Sequence, residues 1–201
     1  MKQVWKAGNM VYPVPAVLVS LATPDGRGNL LTIAWTGTVC TDPAMAYISV
    51  RPERYSYEFL RSSGEFVINL TTEELAWAAD YCGVKSGREV DKFAVTGLTR
   101  EKAQVVSAPL VAESPVNIEC RVKEIREYGS HHMFAAEVLA VHADERYLDA
   151  KGRLALDKAD LVAYSHGEYY ALGRKIGKFG FSVQKKGAPK SPKTKNPNSN
   201  R

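Results

Sequence analysis

The residues best suited to chemistry lie where a predicted strand turns into a predicted helix. The segment Arg51-Pro52-Glu53-Arg54-Tyr55-Ser56 carries two arginine cations and a serine hydroxyl. We predict that Ser56 caps the helix, whose first free N–H groups favour an anion. Arg51 and Arg54 could add charge-assisted hydrogen bonds to phosphate oxygens. The alternative is that both arginines are simply solvated, so spacing alone predicts only a candidate phosphate site.

A strand rich in threonine precedes this segment. In a strand over residues 30–40, Thr32, Thr36 and Thr38 share one face. Gly37 between two of them would let a ligand approach the backbone. The Leu31-Thr32-Ile33 backbone could meet the polar edge of a flat ring, and Trp35 could flank it. Threonine is also common in ordinary strands and a single Trp is more often a core residue, so both alternatives stay open.

Composition excludes several other classes of function. The chain has 201 residues, 45% apolar and 24% charged, typical of a soluble globular protein. It carries no GxGxxG dinucleotide loop, no phosphate-binding GxxxxGK[ST] loop, and no GxSxG or HExxH motif. Three widely spaced cysteines and four histidines show no zinc-type spacing, so no metal site is expected and reduced, buried thiols are the simpler interpretation. No apolar run of about 18 residues occurs, and we expect a cytoplasmic protein with no membrane partner.

The net charge of +5 comes from one end of the chain. Six of the 27 basic residues and none of the 22 acidic ones lie in residues 185–201, which leaves 21 basic against 22 acidic residues elsewhere. Nucleic-acid binding requires a basic face on the folded body, so no nucleic-acid partner is expected. Residues 186–201, rich in Pro, Lys, Ser and Asn, are predicted to be a disordered tail after a domain at residues 1–185.

Two further segments could support chemistry. His131-His132 follows a Gly129-Ser130 turn, where one imidazole could lie near a cofactor or a nicotinamide, although an exposed loop pair is the simpler interpretation. Lys92-Phe93 could contact a cofactor indirectly, but a Lys beside a Phe is common anywhere.

The remaining patterns predict a mostly β fold with inserted α helices. Short turns join successive strands and βαβ repetition is weak, which favours an antiparallel barrel. A segment over residues 44–50, nearly all apolar, should be a central strand with residues 65–70 as a neighbour, and Ile125 breaks an alternating pattern and so predicts a bulge. Strands are predicted at residues 14–22, 30–40, 44–50, 65–70, 116–126, 133–141, 159–165 and 168–172.

Helices are predicted at two places. The first covers residues 55–62 and stops at Gly64. The second begins near Thr71, where Thr71-Thr72-Glu73-Glu74 has the spacing of a capping box, and runs to Gly83. Residues 85–92 are predicted to be a loop or short helix, and residues 93–104 to be irregular.

Taken together, the chain resembles the flavin reductase-like, FMN-binding split-barrel family, and its flavoredoxin-type branch in particular. The resemblance covers about residues 11–185 and rests on several long segments in the same order. These are TIAWTGTVCTDPAMAYISVRPERYSYEFL, GEFVINL, DYCGVKSGREVDKF, SPVNIECRV, GSHHMF, and YSHGEYYALG with KIGKFGFS. It implies a Greek-key split β-barrel that forms a homodimer and holds one noncovalent FMN per subunit at the interface.

The resemblance also implies which residues hold the cofactor. Thr36, Gly37 and Thr38 would face the ribityl and phosphate end, and the segment around Cys82 would lie beside the flavin of its own or of the other subunit. Two departures stand out, because Ser130 replaces an Asp that is usual in reductases and Ala136 replaces a common Gly. These departures leave NAD(P)H specificity open. The implied cofactor-binding residues are Leu31, Thr32, Ile33, Ala34, Trp35, Thr36, Gly37, Thr38, Arg51, Arg54, Tyr55, Ser56, Asn69, Cys82, Gly83, Ser86, Gly87, Lys92 and Phe93.

The expected function is an FMN-dependent oxidoreductase. NAD(P)H would deliver a hydride to the flavin, with His131 near the nicotinamide, and electrons would pass to a small-molecule or protein acceptor. One alternative is an electron carrier of flavoredoxin type that a protein partner reduces. Another is a flavin-binding module without turnover.

Overall fold

The computed structural model describes residues 1–183, and the predicted tail at residues 186–201 lies outside that range. The described part contains twelve strands and three α-helices. The strands are β1 Val14–Pro15, β2 Val17–Leu21, β3 Asn29–Ile33, β4 Thr36–Thr41, β5 Ala44–Val50, β6 Glu65–Leu70, β7 Arg100–Glu101, β8 Leu110–Val111, β9 Val116–Tyr128, β10 His131–Ala143, β11 Val162–Ser165 and β12 Glu168–Ala171. The helices are α1 Ser56–Ser63, α2 Ala76–Val84 and α3 Lys92–Thr96.

Seven strands form one antiparallel sheet in the order β3-β2-β6-β9-β10-β5-β4. The two edge strands, β3 and β4, are consecutive along the chain, so the sheet must curl until its edges come close together. Only the backbone at Ala34–Trp35 spans the gap, and the Trp35 carbonyl accepts a hydrogen bond from the Ser49 N–H of β5 at 2.9 Å. The result is a split barrel, as predicted.

The prediction of one strand over residues 30–40 is therefore wrong. β3 pairs with β2 and β4 pairs with β5, so the segment breaks where the chain crosses the split. The shared face of Thr32, Thr36 and Thr38 is lost with it, because alternation does not continue through a break.

Two other strand predictions also need correction. β5 pairs with β4 and β10, whereas residues 65–70 pair with β2 and β9, so these two segments are not neighbours. The irregularity predicted at Ile125 lies two residues earlier. Ala135 faces Glu124 and Ala136 faces Val122, which leaves Lys123 as the extra residue of a bulge.

The helices differ from the predictions at their starts. The second helix begins at Ala76 and not near Thr71, because the backbone of residues 71–73 pairs with the segment before and at the start of β11. The short helix α3 begins at the last residue of the segment predicted to be a loop or short helix and runs into the segment predicted to be irregular. Asp91 caps it by accepting from the Ala94 N–H at 3.1 Å. Gly64, in the left-handed conformation, ends α1 as predicted.

Two apolar clusters hold the site in place. The barrel interior contains Phe66, Phe134 and Ile48, and α1 closes one end of it with Tyr57 and Leu60. A second cluster packs α2 and α3 against the outside of β2 and β3, with Leu18, Leu30, Ala79, Cys82 and Phe93 buried. The second cluster places the end of α2 beside β3 and the barrel split.

Candidate functional site

Two adjoining cavities open at the split in the barrel. The larger measures about 380 Å³ and follows β3 and the crossing at Ala34–Trp35. The smaller measures about 250 Å³ and lies at the start of α1. Leu31, Arg51 and Arg54 line both, so the two cavities form one continuous groove.

Cations concentrate at the smaller cavity. Arg54 donates from Nη1 to the Gly83 carbonyl at 3.1 Å. Lys92 donates from Nζ to the carbonyls of Leu30 at 2.8 Å and Cys82 at 2.7 Å. Both cations thus bind carbonyls at the C-terminal end of α2, where the negative end of the helix dipole favours positive charge. They stand in fixed positions beside the cavity before any ligand arrives.

Lys92 is unusual because it is a buried cation, only 3% exposed. Burial lowers the pKa of its ammonium to about 8, and the nearby Arg54 charge acts in the same direction. Two of its three donors are occupied by carbonyls, so one N–H remains for an acceptor in the cavity. An anion there would relieve the repulsion between the two cations.

Small and polar groups complete this end of the groove. The Oγ of Ser56 accepts from Asn29 Nδ2 at 2.9 Å, so Ser56 is not the helix cap that the sequence predicted. Gly87 lies so close to Asn29 and Tyr55 that an added Cβ would come within 2.4 Å of the Asn29 Oδ1. Ser86 also lines the cavity, and its Oγ accepts from the Arg88 N–H at 3.2 Å. Only glycine allows the loop at Gly87 to approach this closely.

The larger cavity has a backbone wall and an aromatic wall. Residues 31–35 of β3 and the crossing, all predicted to bind a cofactor, supply the first wall. Thr32 donates from its hydroxyl to the Ala79 carbonyl. Gly83 packs on the Thr32 side chain so closely that a Cβ added at Gly83 would lie 3.3 Å from the Thr32 Cβ. The second wall is formed by Tyr12, Trp35, Tyr164 and Tyr169, with the Tyr12 ring centroid 6.1 Å from that of Trp35.

His131, which the sequence analysis placed near a nicotinamide, lies at the rim of the larger cavity. Partial burial lowers the pKa of its imidazole. The positive charges of Arg51 and Arg54 lower this pKa further, whereas the negative charge of Glu53 raises it. Its Nδ1 is 2.9 Å from the Ser130 hydroxyl, which can fix the ring orientation. The second departure from the family pattern lies elsewhere, because Ala136 is buried in the barrel core.

Six predicted residues lie away from the groove walls. Thr36, Gly37 and Thr38 belong to β4 beyond the split, and the Thr36 hydroxyl donates to the Tyr47 carbonyl at 2.6 Å. Asn69 is fully buried within the sheet, where its amide donates to the Leu18 carbonyl and accepts from the Val111 N–H. Phe93 and the Cys82 side chain fill the core beneath α2. Cys82 reaches the site only through its carbonyl, which accepts from Lys92.

The two buried cysteines offer no thiolate to this site. Cys82 and Cys120 are buried, and burial raises the pKa of Cys82 to about 11 and that of Cys120 to about 12. Neither thiol is ionised near neutral pH. Within residues 1–183, no group of three or more His, Cys, Asp or Glu side chains could hold a metal ion, and no helix is both long and apolar enough to cross a membrane.

Sequence reasoning missed several residues of the groove. Tyr12, Tyr164 and Tyr169 come from the two ends of the domain, so no local spacing links them to β3. Asn29 was detectable in principle, because a polar residue at the start of a buried strand needs a partner. The remaining lining residues that were not predicted are Asn9, Ala16, Ser49, Val50, Glu53, Lys85 and Arg88.

Comparison with known proteins identifies the family. The structure is similar to the flavoredoxin of Desulfovibrio vulgaris (Miyazaki F), with 34% identity, a TM-score of 0.85 and coverage of 91% of this chain and 99% of that chain. A flavoredoxin from Methanosarcina acetivorans gives 27% identity, a TM-score of 0.82 and coverage of 92% and 100%. An uncharacterised protein of Aeropyrum pernix is 33% identical over 134 residues, 66% of this chain but only 51% of that protein, so the match spans about half of its length. The family model for the flavin reductase-like domain matches residues 9–173, and the chain therefore belongs to the flavin reductase-like family.

Proposed function

We propose that the protein binds FMN noncovalently in this groove and passes electrons through it as an oxidoreductase. One observation carries the proposal, namely a continuous groove with two chemically different ends. The smaller cavity offers two fixed cations and hydroxyls, which suit a phosphate. The larger offers strand backbone and aromatic rings, which suit a flat ring with one polar edge.

The residues present fit an FMN molecule. Arg54, Lys92 and Ser86 would hold the phosphate, and Gly87 leaves the room that a side chain would fill. The backbone of residues 31–35 would hold the ring, with Gly83 behind it. When bound, the isoalloxazine ring supplies hydride and single-electron chemistry that no side chain in the groove can supply.

The protein would bind the cofactor, orient it and exclude water from one side of it. The hydrogen bonds of Arg54 and Lys92 fix the phosphate end of the groove, and a phosphate bound there would determine where the ring lies in the larger cavity. The aromatic wall shields one side from water. His131, kept largely neutral at pH 7 by its lowered pKa, would orient a nicotinamide at the rim through a hydrogen bond. NADH or NADPH is the proposed electron donor.

A second candidate is an electron carrier that a protein partner reduces. Ser130 favours it, because a hydroxyl now stands where reductases usually have an acidic side chain beside the histidine. The flavoredoxins among the structural relatives favour it too. In this case the groove would hold FMN in the same way and the rim would meet a protein surface instead of a nicotinamide.

Anaerobic reduction separates the candidates. The purified protein should be yellow, with the absorption of oxidised flavin, and should release FMN on denaturation. NADH, NADPH and reduced ferredoxin are then added in parallel under argon. Rapid bleaching by a nicotinamide supports the reductase, and bleaching only by ferredoxin supports the carrier. A colourless protein that does not take up added FMN would contradict both.

A further inference from the structure

The outer face of α2 is apolar although it faces solvent. Its inner residues Ala78, Ala79 and Cys82 pack into the core. On the other side Trp77 and Val84 are 61% and 71% exposed, and the Tyr81 ring stacks on that of Trp77 with centroids 5.4 Å apart. Large apolar side chains on the outer side of a helix, opposite a side already packed in the core, favour a second packing partner. We therefore expect the outer face of α2 to be covered by another protein surface.

Acidic side chains border the apolar face. Glu73 and Glu74 lie exposed just before α2, and Asp80 is exposed between Trp77 and Val84. A partner should therefore combine apolar and basic side chains.

The segment that follows β12 has this composition. Residues 172–183, named here the C-terminal arm, carry three basic residues and no acidic one. Phe179 is 106% exposed, so its ring packs on no other residue of the range 1–183. Lys175 tethers the arm by an ion pair with Asp157 at 3.0 Å, whereas Arg174 and Lys178 are exposed. The exposed apolar residues of the arm are Leu172, Ile176, Phe179, Phe181 and Val183.

We propose that the C-terminal arm of one copy packs on the outer face of α2 in a second copy, and that the arm of the second copy packs on α2 of the first. The two surfaces complement each other in apolar character and in charge, and both belong to the same chain. A reciprocal contact of this kind closes into a two-fold dimer and leaves neither surface exposed. A homodimer was expected from the family resemblance alone, whereas the surfaces that meet follow from the exposed residues themselves.

The docked arm would also lie near the groove. Gly83, at the end of α2, lines the larger cavity, and Lys85 lines the smaller one just beyond the helix. The second copy would thus cover the helix whose terminal carbonyls hold Arg54 and Lys92.

Cysteine cross-linking tests this contact directly. Two differently tagged chains are co-expressed, one with Trp77→Cys and the other with Phe179→Cys. Both carry Cys40→Ser, because Cys40 is partly exposed whereas Cys82 and Cys120 are buried. Mild oxidation should give a disulfide-linked species that contains both tags. Replacing Trp77→Cys by Val141→Cys, at a residue 58% exposed on β10, should give none.

Two results would overturn the proposal. The first is that no disulfide-linked species with both tags forms, or that the Val141→Cys control forms as much of it as Trp77→Cys does. The second is a cross-link only within one chain of the double variant Trp77→Cys with Phe179→Cys, since the arm would then cover its own helix.

Sedimentation equilibrium provides an independent readout. Phe179→Asp should raise the dimer dissociation constant roughly tenfold or more, because it places a charge in an apolar contact. Val141→Asp should leave the dissociation constant unchanged. A monomeric wild-type chain, or a dimer that Phe179→Asp does not weaken, would contradict the contact. Neither measurement depends on flavin, so the docking can fail or hold independently of the proposed FMN site.

Discussion

The two ends of the groove are built differently. The cation end is fixed, since Lys92 is buried and both Lys92 and Arg54 bind main-chain carbonyls. The rim around His131 is partly open, and its main polar contact is a single hydroxyl from the adjacent residue. A rigid end suits a ligand that stays, and an open rim suits one that comes and goes. We infer that the cofactor is anchored through its phosphate and that its redox partner meets the rim.

The largest effect should come from filling the fixed end. Gly87→Ala would place a Cβ 2.4 Å from the Asn29 Oδ1 and 2.6 Å from the Tyr55 ring. Either the wall or the ligand must move, and we expect a loss of about 1–3 kcal/mol in FMN binding free energy or in folding stability. Gly8→Ala is the control, because an added Cβ there would come no closer than 4.0 Å to the nearest atom, the Lys6 carbonyl oxygen. Fluorescence titration with FMN and thermal unfolding measure the two terms, and wild-type values for both would contradict the close packing.

Removing one fixed cation should cost about as much. Arg54→Ala should weaken FMN binding by about 1.5–3 kcal/mol through the loss of a charge-assisted hydrogen bond. Arg61→Ala removes the same charge from the far end of α1 and should have little effect. Isothermal titration calorimetry gives both dissociation constants. An unchanged constant for Arg54→Ala would remove that residue from the site.

The buried lysine should make binding depend on pH. Below pH 8 the Lys92 ammonium is mostly charged and can attract a phosphate. Because a bound anion raises the pKa of this group, affinity should fall as the pH rises above about 8. Lys92→Gln should bind more weakly at pH 7 and show a flatter profile between pH 7 and 9.5. The same slope in wild type and variant would exclude Lys92 as the titrating group.

The smallest effect on binding should come from the open rim. His131→Ala should leave the FMN dissociation constant within about twofold, since it removes no phosphate contact, and slow hydride transfer from NAD(P)H about tenfold, which corresponds to about 1.4 kcal/mol. Stopped-flow absorbance of the flavin measures the transfer. Ser130→Asp restores the acidic side chain typical of reductases and should speed the transfer if NAD(P)H is the donor. An unchanged rate of hydride transfer in His131→Ala would show that this residue is not part of the donor site.

The sequence predicted the fixed end better than the groove as a whole. Arg51, Arg54 and Ser56 are adjacent in the chain, so their meeting at one cavity follows from a strand–turn–helix alone. Thr36 and Thr38 were misplaced because the strand breaks at the barrel split, which is a property of sheet closure and not of local pattern. Asn69 looked like a ligand contact but satisfies buried backbone groups between strands.

The aromatic wall shows what sequence cannot provide. Tyr12 lies before β1, and Tyr164 and Tyr169 lie on β11 and β12, more than 150 residues away. Their contact depends on the small β1-β11-β12 sheet, whose pairing no local spacing encodes. The start of α2 was missed for a similar reason, since residues 71–73 pair with a distant segment instead of opening the helix.

The central claim is that the cation end of the groove binds the phosphate of FMN. A comparison of the dissociation constants of FMN and riboflavin for the same apoprotein at pH 7 tests it most directly, because the two ligands differ only in that phosphate. We expect FMN to bind at least ~100-fold more tightly, as two charge-assisted hydrogen bonds would provide. Equal affinities for the two ligands would contradict the account.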